Sequence, residues 1–193
     1  MYKKNLSVII PCFNEGPNLI QLYENIKNTL ITVDFEIEVI LVNNGSSDNS
    51  SKILENFQDK DSRIKILNIK KNIGYGHGIL KGLEYSKYDF LCWTHADMQC
   101  DFNDCILGFY RLFEKINLDN KKIILKGNRI KRKFLDLLFT KLMTLFINIF
   151  CKVNINDINA QPKIFPRELY KKFKNPPYDF LLDFYFLNLS QSE

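Results

Sequence analysis

The 193-residue chain has no run of about 18 uncharged apolar residues, which argues against a membrane-spanning helix. Its start, MYKKNLSVIIPCFNE, sets two lysines before an apolar stretch of only a few residues. No small-residue cleavage site follows, so the start does not read as a secretory signal. There is no internal repeat and no low-complexity linker. The five cysteines (Cys12, Cys92, Cys100, Cys105 and Cys151) include no C-x-x-C pair and are odd in number. Reduced thiols are expected, in preference to a zinc site or a disulfide frame. What is present is ordinary for a globular protein: 46% hydrophobic and 25% charged residues, which excludes a disordered or fibrous chain. The length predicts one domain over 1–193.

Acidic residues become scarce toward the C-terminus. Residues 1–120 hold 13 Lys/Arg against 16 Asp/Glu, whereas residues 121–193 hold 14 against 6. Seven basic residues (Lys121, Lys122, Lys126, Arg129, Lys131, Arg132 and Lys133) fall within one short stretch that has no acid. Such a block attracts phosphates, nucleic acid or a membrane surface, and it reads equally as a solvated charged face. Few aromatics interleave with it, so nucleic acid is not expected as a partner.

Apolar patterning predicts strands at Leu6–Ile10, ended by Pro11, and at Glu36–Val42, Arg63–Ile69 and Tyr88–Thr94. Helical spacing is predicted over Asn18–Leu30 and Gly74–Tyr85, with Ser47 or Asp48 capping a helix between the second and third strands. Strand–helix alternation at this spacing means βαβ units: an α/β fold with a mostly parallel central sheet and helices on both faces. Parallel sheets place their sites beyond the carboxyl ends of the strands. Four loops meet that rule: Pro11–Glu15, Asn43–Asp48, Asn72–Gly78 and His95–Gln99. Together they point to a nucleotide pocket. Asp97 and Gln99 offer oxygen ligands and His95 a nitrogen, which fits a divalent cation whose shell is completed by phosphates. Asp97 reads equally as a cap for the next helix. Gly74-Tyr75-Gly76-His77-Gly78 reads as a phosphate-cradling loop, with Lys81 one turn on reaching a phosphate or merely solvent. Asn43 either recognises a base through its amide or makes the turn with Asn44 and Gly45.

Residues 131–150 carry a narrow polar stripe, Asp136, Thr140, Thr144 and Asn148, within an otherwise apolar segment beside Lys141. The apolar arc is wider than a surface helix needs. It fits a helix lying in a membrane interface, or one buried against the sheet and a partner chain.

PCFNE, NNGSSD, NIGYGHG and the His95-Ala96-Asp97-Met98-Gln99 loop together resemble the family 2 glycosyltransferases. That family's patterns are P-x-Y-N-E, D-D-G-S-x-D, N-x-G-x-x-x-A and D-A-D-x-Q. Gly127-Asn128-Arg129 and Asp157–Phe165 resemble two further family segments. The basic stretch between them is most similar to the dolichyl- or polyprenyl-phosphate sugar transferases. The resemblance implies the GT-A nucleotide-diphospho-sugar fold, with a donor half (1–120) and an acceptor half (121–193). It implies inverting sugar transfer from a nucleotide-diphosphate sugar to a polyprenyl or dolichyl phosphate, assisted by Mg²⁺ or Mn²⁺ and located at the cytoplasmic face of a membrane. Carried over by position, Pro11, Phe13, Asn14 and Glu15 line the nucleoside pocket, and Asn43 meets the base. Asp97, Gln99 and His95 hold the metal. Arg129, Lys131 and Arg132 bind the acceptor phosphate. Asp157 orients that acceptor, or acts as base if the acceptor is a hydroxyl. Two positions depart from the pattern: His95 stands where the family has the first metal-loop Asp, and Asn43 where it has the base-contacting Asp. Gln161-Pro162 replaces the usual Gly-Phe, and the chain ends at Glu193, where many relatives continue, as a C-terminally truncated form would. Transfer to a saccharide hydroxyl in cell-surface polysaccharide synthesis, a catalytically weakened nucleotide-sugar binder, and a dinucleotide-dependent oxidoreductase remain the alternatives.

Overall fold

A computed structural model of the chain describes residues 2–57, 60–119, 123–129, 144, 148–150 and 155–192. Strand β1 (Asn5–Cys12) leads to helix α1 (Gly16–Leu30), β2 (Glu36–Asn44), α2 (Ser50–Glu55), β3 (Ile64–Ile69), α3 (Tyr75–Tyr85), β4 (Phe90–Trp93) and α4 (Phe102–Asp119). Then come β5 (Leu125–Lys126), β6 (Lys163–Pro166), α5 (Arg167–Tyr170) and α6 (Leu181–Ser192). The six strands lie in the order β3-β2-β1-β4-β6-β5. The first four are mutually parallel, while β6 runs antiparallel to both β4 and β5.

The sheet separates two cores because successive strand residues face opposite ways. Leu6, Val8, Ile10 and Cys12 pack with Leu19, Leu22, Ile26 and Phe109 under α1 and α4. Ile9, Ile40, Val42, Leu91 and Trp93 pack with Ile79, Leu83, Leu182 and Phe186 under α3 and α6. Pro11 does not end β1, contrary to expectation; it pairs with Val42. Ile9 accepts from Thr94 N on the β4 side, and Pro11 faces that same side two residues later. The last β4 residue in register with β1 is Trp93, opposite Ile9, so the missing N–H falls where no neighbour needs it.

Asp48 joins two helix starts. Its Oδ2 accepts from Gly16 N at the head of α1 (3.1 Å) and its Oδ1 from Ser50 N at the head of α2 (2.9 Å). Helix α4 is preceded by Asp101, whose Oδ1 accepts from Asn103 N (2.9 Å). Asp97 is therefore free of that capping duty.

At the opposite end of the sheet Glu38, 1% exposed, accepts from Ser7 Oγ (2.6 Å), Lys65 Nζ (2.5 Å) and Lys87 N (2.8 Å). Burial pushes its carboxyl pKa up, but these donors outweigh burial and hold it below the usual range. With the folded pKa below the unfolded one, the stabilisation is complete above the ordinary carboxylate range and is lost as pH falls through the lowered value. Glu38→Gln should destabilise the fold by about 1–3 kcal/mol at pH 7. In urea titrations at a series of pH values, the gap to the native chain should close in acid; a gap that widened in acid would contradict the assignment.

Candidate functional site

A cleft of about 480 Å³ opens at the carboxyl ends of β1, β2 and β4. It is lined by Pro11, Phe13, Glu15, Asn44, Asn72, Gly74, Tyr75, His95, Ala96, Asp97 and Phe180. Residues from all four of the loops selected by the strand-end rule are present, joined by Phe180 from just before α6. Pro11, Phe13, Glu15, His95 and Asp97 therefore meet in one place, with the Phe13 ring 45% exposed.

The other expected residues do not line it. Asn14, in the left-handed region at φ 55°, ties two loops together: its Oδ1 accepts from Ser47 N (2.8 Å) and Asp48 N (3.3 Å). Asn43 is 5% exposed. Its Nδ2 donates to Ser51 Oγ (2.8 Å) and Asn68 Oδ1 (2.9 Å), and its Oδ1 accepts from Ser46 N (3.2 Å), so the amide makes the turn. The next residue faces the cleft instead. Asn44 Nδ2 donates to Gly74 O (3.0 Å), and its buried Oδ1 has no protein partner. Lys81 pairs with Glu84 (2.8 Å) on the outer side of α3, among His77 and Tyr85, away from the cleft. Gln99 is exposed and contributes its backbone N–H, which donates to Asp97 Oδ1 (3.1 Å); its side chain is not in the lining. Lys131 and Arg132, and most of the 131–150 segment, lie outside the described residues.

The glycine loop requires a correction. A Cβ on Gly74 would meet Tyr178 O at 2.1 Å, and one on Gly76 would meet Pro177 O at 2.7 Å and Asp179 O at 2.8 Å. His77 N donates to Tyr178 O (3.0 Å). These glycines seat the backbone of the segment before α6, and Gly74 also lines the cleft. The seat fixes Phe180, 66% exposed, in a parallel stack on Tyr75 with 4.8 Å between centroids. Overpacking at this contact costs about 1–3 kcal/mol. Gly76→Ala should accordingly lower the melting temperature with no ligand present, whereas a phosphate cradle would leave unliganded stability untouched.

His95 and Asp97 form the polar centre. His95 Nδ1 lies 3.8 Å from Asp97 Oδ2, too long for a hydrogen bond. The imidazole beside it holds the Asp97 carboxyl below its usual range against partial burial, which raises it, so the group is ionised at neutral pH. His95 Nε2 contacts Tyr75 Oη at 2.9 Å. Burial, with Asp183 and Asp97 nearby, pushes the Tyr75 phenol well up and keeps it protonated. Met98, between Asp97 and Gln99, sits at φ 61°, a conformation a bulky residue adopts only when its surroundings enforce it. Among the described residues no three His, Cys, Asp or Glu side chains converge. A cation here would take Asp97 and His95 and draw its remaining ligands from substrate and water, a donor set that fits a phosphate-bound divalent ion.

A second cluster lies at the same end of the sheet, where Lys126 on β5 is opposite Lys163 on β6 and Lys163 opposite Trp93 on β4. Arg129 Nε donates to both oxygens of Asp157 (2.9 and 3.1 Å), and its Nη2 adds a further close contact to Oδ1. Burial raises the Asp157 carboxyl pKa, but the Arg129 guanidinium overcomes this and holds it low. Gly127 N donates to Pro162 O (2.8 Å), which places this pair next to Gln161. Sequence reasoning placed Asn44, Asn72 and Tyr75 in the strand-end loops without giving them separate roles in the pocket, and it did not reach Phe180. Tyr75 was visible only as part of a glycine loop, and Phe180 is brought in from a distant segment.

Residues 7–174 match Glycosyl transferase family 2. The chain is 26% identical over 186 residues to a dolichyl-phosphate beta-glucosyltransferase of Dictyostelium discoideum, covering 86% of this chain and 55% of that protein. It is 35% identical over 95 residues to an undecaprenyl-phosphate 4-deoxy-4-formamido-L-arabinose transferase of Proteus mirabilis, covering 49% of this chain and 29% of that one. The chain thus spans about half the length, or less, of these curated relatives. Among solved structures, glucosyl-3-phosphoglycerate synthase from Mycobacterium tuberculosis, in complex with Mn²⁺, uridine diphosphate and glucosyl-3-phosphoglycerate, aligns with TM-score 0.68 at 14% identity. That alignment covers 95% of this chain and 63% of the synthase. The fold is GT-A, and the chain belongs to glycosyl transferase family 2.

Proposed function

We propose that this chain transfers a sugar from a nucleotide-diphosphate donor to an anionic lipid acceptor, a polyprenyl or dolichyl phosphate, with inversion at the anomeric carbon. The observation that carries the reading is the convergence of Pro11, Phe13, Glu15, Asn44, His95 and Asp97 on one cleft at the strand ends. Phe13 and Pro11 wall the nucleoside, with Asn44 beside them in the lining. Asp97 and His95 would hold a divalent cation, which would supply positive charge against the departing diphosphate. The acceptor oxygen attacks from the face opposite that leaving group, as the anomeric C–O bond breaks and its electron pair leaves with the diphosphate.

Asp157 orients Arg129 in this scheme. Its carboxylate is already committed to the guanidinium and its pKa is low, which suits a positioning role better than proton abstraction. A phosphate acceptor needs no such base, being largely ionised near neutral pH. Arg129 then presents its remaining N–H groups to the acceptor, with Lys131 and Arg132 continuing the basic stretch. The described part of the 131–150 segment supports a place at a membrane surface. Thr144 is buried and Asn148 is bonded to the Ile155 backbone at both amide ends (3.0 Å each), while Ile149 and Phe150 are exposed. At Thr144 and Asn148 the polar side therefore faces protein, while Ile149 and Phe150 face outward, as in an interfacial helix. Among the described residues, no helix is long and apolar enough to cross a membrane.

Asp97→Ala should lower turnover about 10²–10³-fold, the scale of removing one preorganised electrostatic group, with the melting temperature retained; undiminished turnover would end the assignment. Arg129→Ala should raise KM for undecaprenyl phosphate in detergent about 10–100-fold, the worth of a charged hydrogen bond. Asp157→Asn should retain most of kcat on that acceptor. Collapse of kcat in Asp157→Asn, with KM unchanged, would instead make Asp157 a base for a hydroxyl acceptor. Co-sedimentation with liposomes should rise with anionic lipid content.

A further inference from the structure

Single exposed apolar side chains are ordinary on a protein surface, whereas several gathered beside a site mark an interaction surface. One such group lies at the mouth of the cleft. Ile73, Tyr178, Phe180 and Leu181 are each between 49% and 66% exposed. They come from two segments that touch through backbone: Gly74 lies against Tyr178 O, and His77 N donates to that same oxygen (3.0 Å). Asn72 and Gly74, on either side of Ile73, line the cleft together with Phe180. The Lys71 backbone packs against Gly45 of the loop after β2, which keeps this stretch at the strand ends.

The exposure is built in. Tyr75 holds the Phe180 ring by stacking on it, and Asp179 Oδ1 accepts from Leu181 N (2.9 Å) at the head of α6. Tyr185 Oη accepts from Lys174 N (2.7 Å) and donates to Lys174 O (3.1 Å). With the backbone tied at these points, the apolar side chains stay on the outside. Lys70, Lys71 and Lys174 flank them, all three exposed and without an ion pair among the described residues. The one acid in stretches 70–73 and 174–181 is Asp179, the cap of α6. Lysine is depleted from protein–protein contacts. Lysine beside exposed rings and aliphatic chains suits an anionic lipid surface, where the apolar groups enter the headgroup boundary and the ammonium groups meet the phosphates.

We infer that the lip formed by residues 70–73 and 174–181 docks on an anionic bilayer, with Ile73, Phe180 and Leu181 in the headgroup boundary, so that the cleft opens onto the membrane surface. This rests on reading the acceptor as a membrane lipid, and different residues carry it from those of the 131–150 segment. It gives that acceptor a direct way in: its phosphate stays at headgroup depth while it reaches the loops at the strand ends.

The test is binding of the full chain to vesicles of phosphatidylcholine with phosphatidylglycerol, beside vesicles of phosphatidylcholine alone. Binding should be stronger to the anionic vesicles and weaken with salt. The paired change Lys70→Gln with Lys71→Gln should weaken it about 10–30-fold, from about fivefold for each lysine at such a surface. Ile73→Ser with Leu181→Ser should weaken it about 10–100-fold. Contact is read separately from tryptophan emission, native Trp93 being buried. Ile73→Trp and Leu181→Trp should shift to the blue and be quenched by brominated phosphatidylcholine in anionic vesicles. Ile31→Trp, in the turn before β2 at the opposite end of the sheet, should do neither. Thermal unfolding without vesicles checks that each variant is folded. Undiminished binding in both paired variants, or equal quenching at position 31, would overturn the inference and assign binding to another face. No vesicle binding by the native chain would overturn it too. A dimer in sedimentation velocity that is lost in Ile73→Ser with Leu181→Ser would give the face to a second copy instead. Transfer to undecaprenyl phosphate in detergent tests the acceptor separately. Lip-dependent vesicle binding without such transfer would leave the docking surface standing and end the lipid-acceptor reading; transfer without vesicle binding would do the reverse.

Discussion

An ammonium group out of reach of water has three protons to place, and in this chain their placement organises one end of the sheet. Lys163 sits where β6 meets β4, opposite Trp93. Its pairing with Asp183 ties α6 to the sheet, and the Trp93 indole N–H donates to the same carboxylate oxygen (3.1 Å). A buried pair of this kind adds little net stability against an apolar substitute, yet breaking one partner is costly. What it imposes is direction: the Gln161 amide turns its oxygen to Lys163 and its nitrogen to Trp93 O, beside Tyr75 and His95. The polar centre of the cleft thus adjoins a charge pair in the core beneath it.

The second support is steric. The segment 176–180 lies against bare backbone at Gly74 and Gly76, and no side chain fits between them. That close approach brings Phe180 over Tyr75 and finishes the cleft wall. Glycine at these places serves packing between two protein segments. The same residues in sequence resemble an anion cradle because both uses demand the same thing, unobstructed backbone.

The first four strands were legible because their apolar runs are short, rich in β-branched residues and separated by helical spacing. The four strand-end loops followed from topology alone. Less was legible where two residues alternate across a sheet. Asn43 and Asn44 are chemically identical neighbours at the end of β2; one turns to Ser51 and Asn68, the other to Gly74 and the cleft. Only the register of the strand decides between them. Lys81 failed for the helical equivalent of this reason, lying on the solvent side of α3, where Glu84 meets it. The expected end of β1 at Pro11 was misplaced because the cost of a proline depends on whether a neighbouring strand is present at that position, which local sequence does not state. Helix α4 was foreseen only as the helix that Asp97 would cap; β5 and β6 span two and four residues and carry no periodicity to read.

The change at position 95 alters the electrostatics of the site in a direction that can be reasoned through. Two carboxylates 3.8 Å apart repel by about 4 kcal/mol at an effective dielectric constant of 20. Such a pair needs a cation or a proton to persist. An imidazole opposite Asp97 brings one negative charge fewer than a second carboxylate would, so the unliganded loop tolerates its own geometry. In the function proposed above, a divalent ion at this loop and the diphosphate beside it would depend on each other more than at a loop with carboxylates at both positions, because each would supply charge that the protein does not.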